Sequence, residues 1–321
     1  MTMAFEKSMR QQFADTMLTV GQEDPRLIVL IGDISHFILQ PFARACPGRF
    51  YNVGICEPTI VGMAAGLAKV GFYPVVHTIA PFIVERSFEQ IKLDFCYQQL
   101  GGNLVTVGSA FDYANLGCTH HCYGDFALLK TLPHAQITYP ASPVEFDALF
   151  RQAYTSGVLT LYRVPAHQHG QAFNAEDILL GKGIRVTEGR NLTIVATGPQ
   201  LRNAMEAGEE LKSHGWQAEV LYIHTIQPLD VELIRASVRK TRRALVVEEH
   251  MCNGGLGDDV LRATREIPRV QHASLSIPNT FVTGYGTYQD HCETLGLTRE
   301  GIVRQVRSAF GSPKGEVVWQ R

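Results

Sequence analysis

The chain has 321 residues, and its 29 Lys and Arg against 31 Asp and Glu give a formal net charge of −2. This balance excludes binding of nucleic acid through bulk positive charge, and the 45% apolar content is typical of a globular chain rather than a disordered one. The seven cysteines form no Cys-x-x-Cys pair, so we expect reduced thiols and a cytoplasmic protein. The charged residues 1–17 are unlike a signal peptide, and no apolar run is long enough to predict a membrane span.

The first half of the chain predicts alternating helices and strands. A four-residue spacing of apolar side chains predicts a first helix, whose buried face would carry Phe5, Met9, Phe13 and Met17. Residues 26–33 follow as a continuous apolar run, which is typical of a parallel strand covered on both faces. Further apolar runs predict strands at 51–56, 75–79, 104–107, 137–139 and 160–163.

The second half predicts a similar alternation after an interruption. Residues 165–185 are polar and contain Pro and Gly, which predicts a linker, assigned to 166–188. Beyond it, strands are predicted at 192–196, 218–223, 244–248 and 270–274, with helices near 200–214, 230–240, 256–266 and 298–310. Because alternating strands and helices are typical of mostly parallel sheets, the sequence predicts two α/β domains, 1–165 and 189–321.

A carboxylate stands at a predicted strand-to-helix junction in the segment YNVGICEPTIVGMAAGLAKVG. Pro58 suits the first position of a helix, because its missing N–H would have no partner there. The helix is thin, which indicates that something packs close to it; its small residues are Gly62, Ala64, Ala65, Gly66 and Ala68. Glu57 is therefore either a helix N-terminal charge favoured by the helix dipole or a buried functional acid, and the pattern alone leaves both open.

Three separated segments, in the same order, resemble the transketolase family. The first is RFYNVGICEPTIVGMAAGLAKVGFYPVVHTIAPFIVERSFEQI, which is similar to the family's pyrimidine-binding domain. The second, Gly117-Cys118-Thr119-His120, resembles its Gly-x-Thr-His motif, and the third, ATGPQLRNA…IHTIQPLD…VVEEHMCNGGLGDDV, resembles its C-terminal domain. The Gly-Asp-Gly…Asn motif that binds Mg²⁺ in full-length members is not found. The resemblance thus implies the C-terminal subunit of a split transketolase, with the diphosphate-binding half on a separate chain.

The resemblance implies thiamine diphosphate as cofactor, with Mg²⁺ ligands on the partner subunit. By matching position, Glu57 would hydrogen-bond the pyrimidine ring nitrogen and stabilise the imino tautomer that acts as base. Phe82 would stack on the pyrimidine, with a core position as the alternative, and Asp33 would lie near the cofactor. His120 would lie near the thiazolium and the substrate oxygens. The segment 118–122 also contains two Cys and two His, but ligands crowded into five residues do not make a tetrahedral zinc site.

Substrate contacts are implied at three further positions. Arg163 matches an Arg that holds the substrate phosphate, which a guanidinium fork suits; a structural ion pair at a strand end is the alternative. His121 and Ser35 are further candidates, and for His121 a supporting role behind the contact residues is the alternative. Two polar groups of the family pattern are missing, because Leu116 and Gly108 stand where an Asp and a His are common. The cofactor half of the site is therefore intact while the sugar half is altered, and we expect a modified sugar as substrate.

The leading hypothesis is a transferase subunit that moves a two-carbon ketol unit between a ketose donor and an aldose acceptor. The resemblance further implies a heterotetramer with two copies of this chain and two of the partner. Three alternatives stay open: the beta subunit of a 2-oxoacid dehydrogenase decarboxylase, a 1-deoxyxylulose-5-phosphate synthase-like enzyme, and a catalytically inactive partner subunit.

Overall fold

The structure, a computed structural model, describes residues 7–313, and most of its helices begin where the sequence supplies a side-chain cap or a proline. Ser8 accepts a hydrogen bond from the backbone of Gln11 to start the first helix, which buries Met9, Phe13 and Met17 as predicted; Phe5 lies outside the described residues. The helices are α1 (Met9–Glu23), α2 (Gln40–Ala45), α3 (Glu57–Lys69), α4 (Ala80–Val84), α5 (Phe88–Gln90, continued by a π-helical turn Ile91–Tyr97), α6 (Asp125–Lys130), α7 (Pro143–Ala153), α8 (Leu201–Ser213), α9 (Val231–Thr241), α10 (Leu256–Thr264), α11 (Tyr288–Leu295) and α12 (Arg299–Phe310).

Two mostly parallel sheets form the layers between these helices, which confirms the predicted α/β class. The strands are β1 (Leu27–Ile31), β2 (Phe50–Asn52), β3 (Tyr73–Ile79), β4 (Gly102–Val107), β5 (Ala135–Thr138), β6 (Leu159–Val164), β7 (Ile184–Thr187), β8 (Leu192–Ala196), β9 (Ala218–Tyr222), β10 (Thr225–Gln227), β11 (Arg243–Met251) and β12 (Gln271–Ile277). The first sheet has the order β10-β5-β6-β4-β3-β1-β2, and the second has the order β12-β11-β8-β9-β7. The central strands are buried along their whole length, as continuous apolar runs predict.

The structure differs from the prediction in three places, two of which concern the boundary between the two halves of the chain. The predicted linker 166–188 includes β7, which pairs antiparallel with β9 and so belongs to the second sheet. The short strand β10 pairs antiparallel with β5, so the second half of the chain supplies an edge strand to the first sheet. The predicted strand 51–56 is also shorter, because residues 53–56 form the loop that leads into α3.

Strand order determines which loops can form a site together. The strands β1, β3 and β4 are parallel neighbours in the first sheet, so the loops after them meet at its carboxyl edge. In open α/β sheets this edge is where ligands bind. The segments that follow these strands carry Asp33 and Ser35, then Phe82 in α4, and then the stretch from Gly108 to His121.

Candidate active site

Glu57 is buried at the first position of α3, so it is both a helix N-terminal charge and an acid removed from water. Its exposed fraction is 1%, and Arg86 Nη1 donates to its Oε2 over 2.8 Å. The positive end of the α3 dipole also favours a carboxylate there. Within the described residues Oε1 has no hydrogen-bond partner, which leaves it free to share a proton with a ligand. The sequence did not predict the ion pair with Arg86.

Phe82 and Glu57 both contact Arg86. Phe82 lies on α4, and the Arg86 guanidinium lies 4.3 Å from the centre of its ring. The His120 ring meets Phe82 edge-on, with centroids 5.3 Å apart and planes at 69°. The structure therefore brings Glu57, Phe82 and His120 together, although they come from separate segments of the chain. A buried acid beside a half-buried aromatic ring fits a flat nitrogen heterocycle such as an aminopyrimidine.

His120 is held at the end of a short 3-10 turn, Cys118–His120. The turn follows Gly117, whose φ of +73° is left-handed, and a Cβ there would lie 2.7 Å from a ring atom of Tyr285. The Thr119 hydroxyl lies 3.0 Å from His120 Nδ1. Within the described residues His120 Nε2 has no protein partner, so it can exchange a proton with a substrate oxygen.

Asp33 lies across from the loop that leads to Glu57. Asn52, at the end of β2, donates from its amide to Asp33 Oδ1 over 3.0 Å and accepts from the Asp33 backbone over 3.1 Å. Asp33 and Ser35 both have left-handed backbone angles, with φ of 57° and 60°. Such conformations cost about 1–3 kcal/mol each and are common at binding sites. Two of them in one loop therefore favour a role for this loop in ligand binding.

Ser35 connects two residues whose role the sequence did not reveal, Arg10 and His77. Arg10 Nη2 donates to Ser35 Oγ over 2.9 Å, and Ser35 Oγ lies 2.8 Å from His77 Nε2. His77 Nδ1 lies 2.8 Å from the Val105 carbonyl, so Nδ1 carries the hydrogen and Nε2 accepts from Ser35. Burial lowers the pKa of His77 to about 3, which keeps the ring neutral in this chain of bonds. The Arg10 guanidinium is thereby held on an exposed face beside the site.

The structure contradicts the prediction that Arg163 holds a substrate phosphate. Its exposed fraction is 0%, and its Nε lies 2.9 Å from Asp125 Oδ2, which is also buried. Its Nη2 donates to the carbonyls of Cys122 and Glu249. The guanidinium also lies 4.5 Å from the centres of two aromatic rings, those of Phe126 and Tyr139. Arg163 therefore forms a structural ion pair with Asp125 inside the first half of the chain, and its hydrogen bond to the Glu249 carbonyl connects it to the second half.

His121 packs against the second half of the chain. Its exposed fraction is 3%, and its ring meets that of His291 on α11 edge-on at 5.5 Å. Burial lowers the pKa of His121 to about 4, and the charges of His291 and His120 lower it further. Neither of its ring nitrogens has a hydrogen-bond partner within the described residues. This packing favours support of His120 over direct contact with substrate.

Residues 7–313 contain neither a cluster of metal ligands nor a membrane-spanning helix. No group of three or more His, Cys, Asp and Glu in this part of the chain could hold a metal ion, and that includes the segment 118–122. No helix among the same residues is long and apolar enough to cross a lipid bilayer.

Comparisons with known proteins identify the class of this fold and site. Two family models match: the transketolase pyrimidine binding domain over residues 6–162, and the transketolase C-terminal domain over residues 181–302. A subunit of the apulose-4-phosphate transketolase from Phocaeicola vulgatus is 34% identical over 298 residues, or 92% of this chain and 95% of that protein. The 6-deoxy-6-sulfo-D-fructose transketolase subunit SqwH from Clostridium sp. is 30% identical over 304 residues, or 93% of each. These matches define a thiamine-diphosphate-dependent transferase.

The chain belongs to the transketolase family, which confirms the resemblance. A solved structure described as "Split gene transketolase, inactive beta4 tetramer" has a TM-score of 0.87 and 30% identity, and the match covers 96% of this chain and 99% of that one. The 1-deoxy-D-xylulose-5-phosphate synthase of Syntrophus aciditrophicus is 32% identical over 314 residues, but the chain spans only 47% of that protein.

Proposed function

We propose that this chain is the C-terminal subunit of a split transketolase that moves a two-carbon ketol unit from a ketose donor to an aldose acceptor. The observation that carries the proposal is the juxtaposition of Glu57, Phe82 and His120 at the carboxyl edge of the first sheet. The two relatives named as transketolase subunits, matched over at least 93% of their own length, support it.

Each of these side chains has a task that its surroundings permit. Thiamine diphosphate, when bound, would supply the thiazolium carbanion. Glu57 would share a proton at Oε1 with the pyrimidine nitrogen, while Arg86 holds its other oxygen. Phe82 would stack on the pyrimidine ring, and Asp33 would lie beside it. His120 would donate a proton to, and take one from, the substrate oxygens through Nε2.

The Arg10–Ser35 pair supports a substrate with an anionic end. Arg10 is on the exposed face of α1, and its guanidinium is oriented by Ser35 over 2.9 Å. A guanidinium so held suits a phosphate or sulfonate group. The names of two relatives give sugars with a phosphate and a sulfo group. We therefore propose Arg10, in place of Arg163, as the residue that binds the anionic group. Ser35 remains a proposed substrate contact. The preference for a modified sugar, predicted from Gly108 and Leu116, stays a prediction.

The proposal includes a partner subunit that binds the diphosphate group and Mg²⁺, in a heterotetramer with two copies of each chain. Exposed apolar side chains on and beside α3 support subunit contact there: Ile55 is 70% exposed, Met63 42% and Tyr97 78%. Gly66 on the same helix has no atom within 4 Å of the place of a Cβ, so a second chain can pack against it closely. We also propose a cytoplasmic location, which the seven free thiols support.

Reconstitution tests the proposed function. The chain is co-expressed with a candidate diphosphate-binding partner, and the purified pair is given thiamine diphosphate and Mg²⁺. Ketol transfer from a ketose phosphate to an aldose is the expected activity. Consumption of pyruvate with an aldehyde would instead indicate the synthase-like alternative, and oxidative decarboxylation of a 2-oxoacid would indicate the dehydrogenase alternative. A pair that binds cofactor but performs none of these reactions would indicate an inactive subunit.

A further inference from the structure

The side chain of Tyr113 occupies the place that a side chain at position 108 would take. Gly108 directly follows β4 with a left-handed φ of +78°, and a Cβ built there would lie only 2.3 Å from Tyr113 Cε2. The Tyr113 ring also meets the His120 ring edge-on, with centroids 6.0 Å apart. The space left by the absent side chain at position 108 is therefore filled by a phenol next to His120.

The loop that carries Tyr113 is held by its own hydrogen bonds. Asp112 Oδ2 accepts from the backbone of Ser109 over 2.9 Å and from the backbone of Ala166 over 2.8 Å. The carbonyl of Tyr113 accepts from the backbone of Leu116 over 2.8 Å. Because hydrogen bonds close the turns on both sides of Tyr113, the loop holds the Tyr113 ring in a fixed position.

The phenol hydroxyl is neutral and available to a ligand. Burial raises the pKa of Tyr113, while the nearby positive charge of Arg10 lowers it in part. Within residues 7–313 the hydroxyl makes no hydrogen bond, although a partly buried Tyr O–H usually finds a partner. Tyr113 thus lies beside His120, at the reacting end of the site, and within electrostatic range of Arg10, at the proposed anionic end. Leu116 is 43% exposed and offers no polar group of its own.

We propose that Tyr113 is a specificity-determining residue of the transfer reaction. Its hydroxyl hydrogen-bonds a sugar hydroxyl on the carbons between the reacting carbonyl and the anionic end, and its ring limits the width of the substrate there. The substrate class is then a short polyhydroxylated sugar with an anionic end and a free hydroxyl in mid-chain. This inference rests on the proposed function and supplies the polar contact that Gly108 and Leu116 lack.

The test uses the reconstituted pair and two acceptors that differ by one hydroxyl, D-ribose 5-phosphate and 2-deoxy-D-ribose 5-phosphate. A second matched set is D-glyceraldehyde 3-phosphate and 3-phosphooxypropanal. Wild type should prefer the hydroxylated member of at least one set by about tenfold or more in kcat/KM, because a site built for a hydroxyl rejects the analogue that lacks it. Tyr113→Phe should bring this ratio to within about threefold.

The control is Tyr73→Phe, a half-buried tyrosine at the opposite end of the sheet, where β3 begins. It should leave the ratio as in wild type. If Tyr113→Phe lowers kcat/KM equally for both acceptors, or changes neither, the role in specificity is refuted while ketol transfer stands. If the wild-type pair transfers no ketol unit to any acceptor, the proposed function itself fails, and this inference fails with it.

Discussion

Replacing Glu57 by Gln tests the acid on which the proposed chemistry depends most. Gln is nearly isosteric, but its amide cannot share a carboxyl proton with a ring nitrogen. Proton transfer by a positioned side chain contributes about 100- to 10,000-fold to rate. We therefore expect turnover of the reconstituted pair to fall by at least about 100-fold in Glu57→Gln.

The structure indicates that this loss will not come from unfolding. Glu57→Gln removes one charge from the ion pair with Arg86, whose side chain is 45% exposed. Glu57 is buried but Arg86 stays hydrated, and Gln keeps the hydrogen bond, so we expect the free energy of unfolding to fall by about 1 kcal/mol. The Gln oxygen can still accept from Arg86 Nη1. The melting temperature should therefore fall by no more than about 4 °C.

Hydrogen–deuterium exchange at the thiazolium carbon measures deprotonation of the cofactor alone, because this exchange needs no sugar. The reconstituted pair is mixed with D₂O, quenched in acid, and the cofactor proton is followed by NMR. Exchange should slow in Glu57→Gln by a factor similar to the loss of turnover. Glu89→Gln, an exposed glutamate on α5, is the matched control and should exchange as wild type does. Wild-type exchange in Glu57→Gln, with cofactor bound, would refute the assignment.

Three other predictions follow from the described contacts. Arg163→Met should lower the free energy of unfolding by about 3–5 kcal/mol because it leaves Asp125 as an unpaired buried charge; urea unfolding measures this, and a stable variant with only a raised KM would restore the phosphate-binding hypothesis. Because the folded chain protonates His77 only near pH 3 and the unfolded chain near 6.5, stability is lost as pH falls between them, by up to about 1.4 kcal/mol per pH unit. His77→Asn should lessen that loss between pH 7 and 5, whereas substitution of the half-exposed His134 by Asn should not. The chain without its partner should bind thiamine diphosphate weakly in calorimetry, and tight Mg²⁺-dependent binding would contradict the split arrangement.

Much of the fold and part of the site could be predicted from local pattern. Continuous apolar runs marked the central strands because parallel strands are buried on both faces. Glu57, Phe82 and His120 were found through family motifs in separate segments, and the structure places them within contact of one another or of Arg86. The linker was predicted too long because β7 is a short edge strand, whose half-exposed residues carry little apolar signal.

The sequence by itself determined the α/β class and the family, and it supplied the proposed acid, aromatic and imidazole of the cofactor site, since each is recorded in residues close together along the chain. Only the tertiary structure decided which charges are buried and which are free. Arg163 looked available, but its partners at Asp125 and Glu249 come from different segments, and packing of the two halves removes it from water. Arg10 gave no local signal, because its contact with Ser35 spans 25 residues. Burial and pairing of a charge depend on contacts distant in sequence, and no local pattern records them.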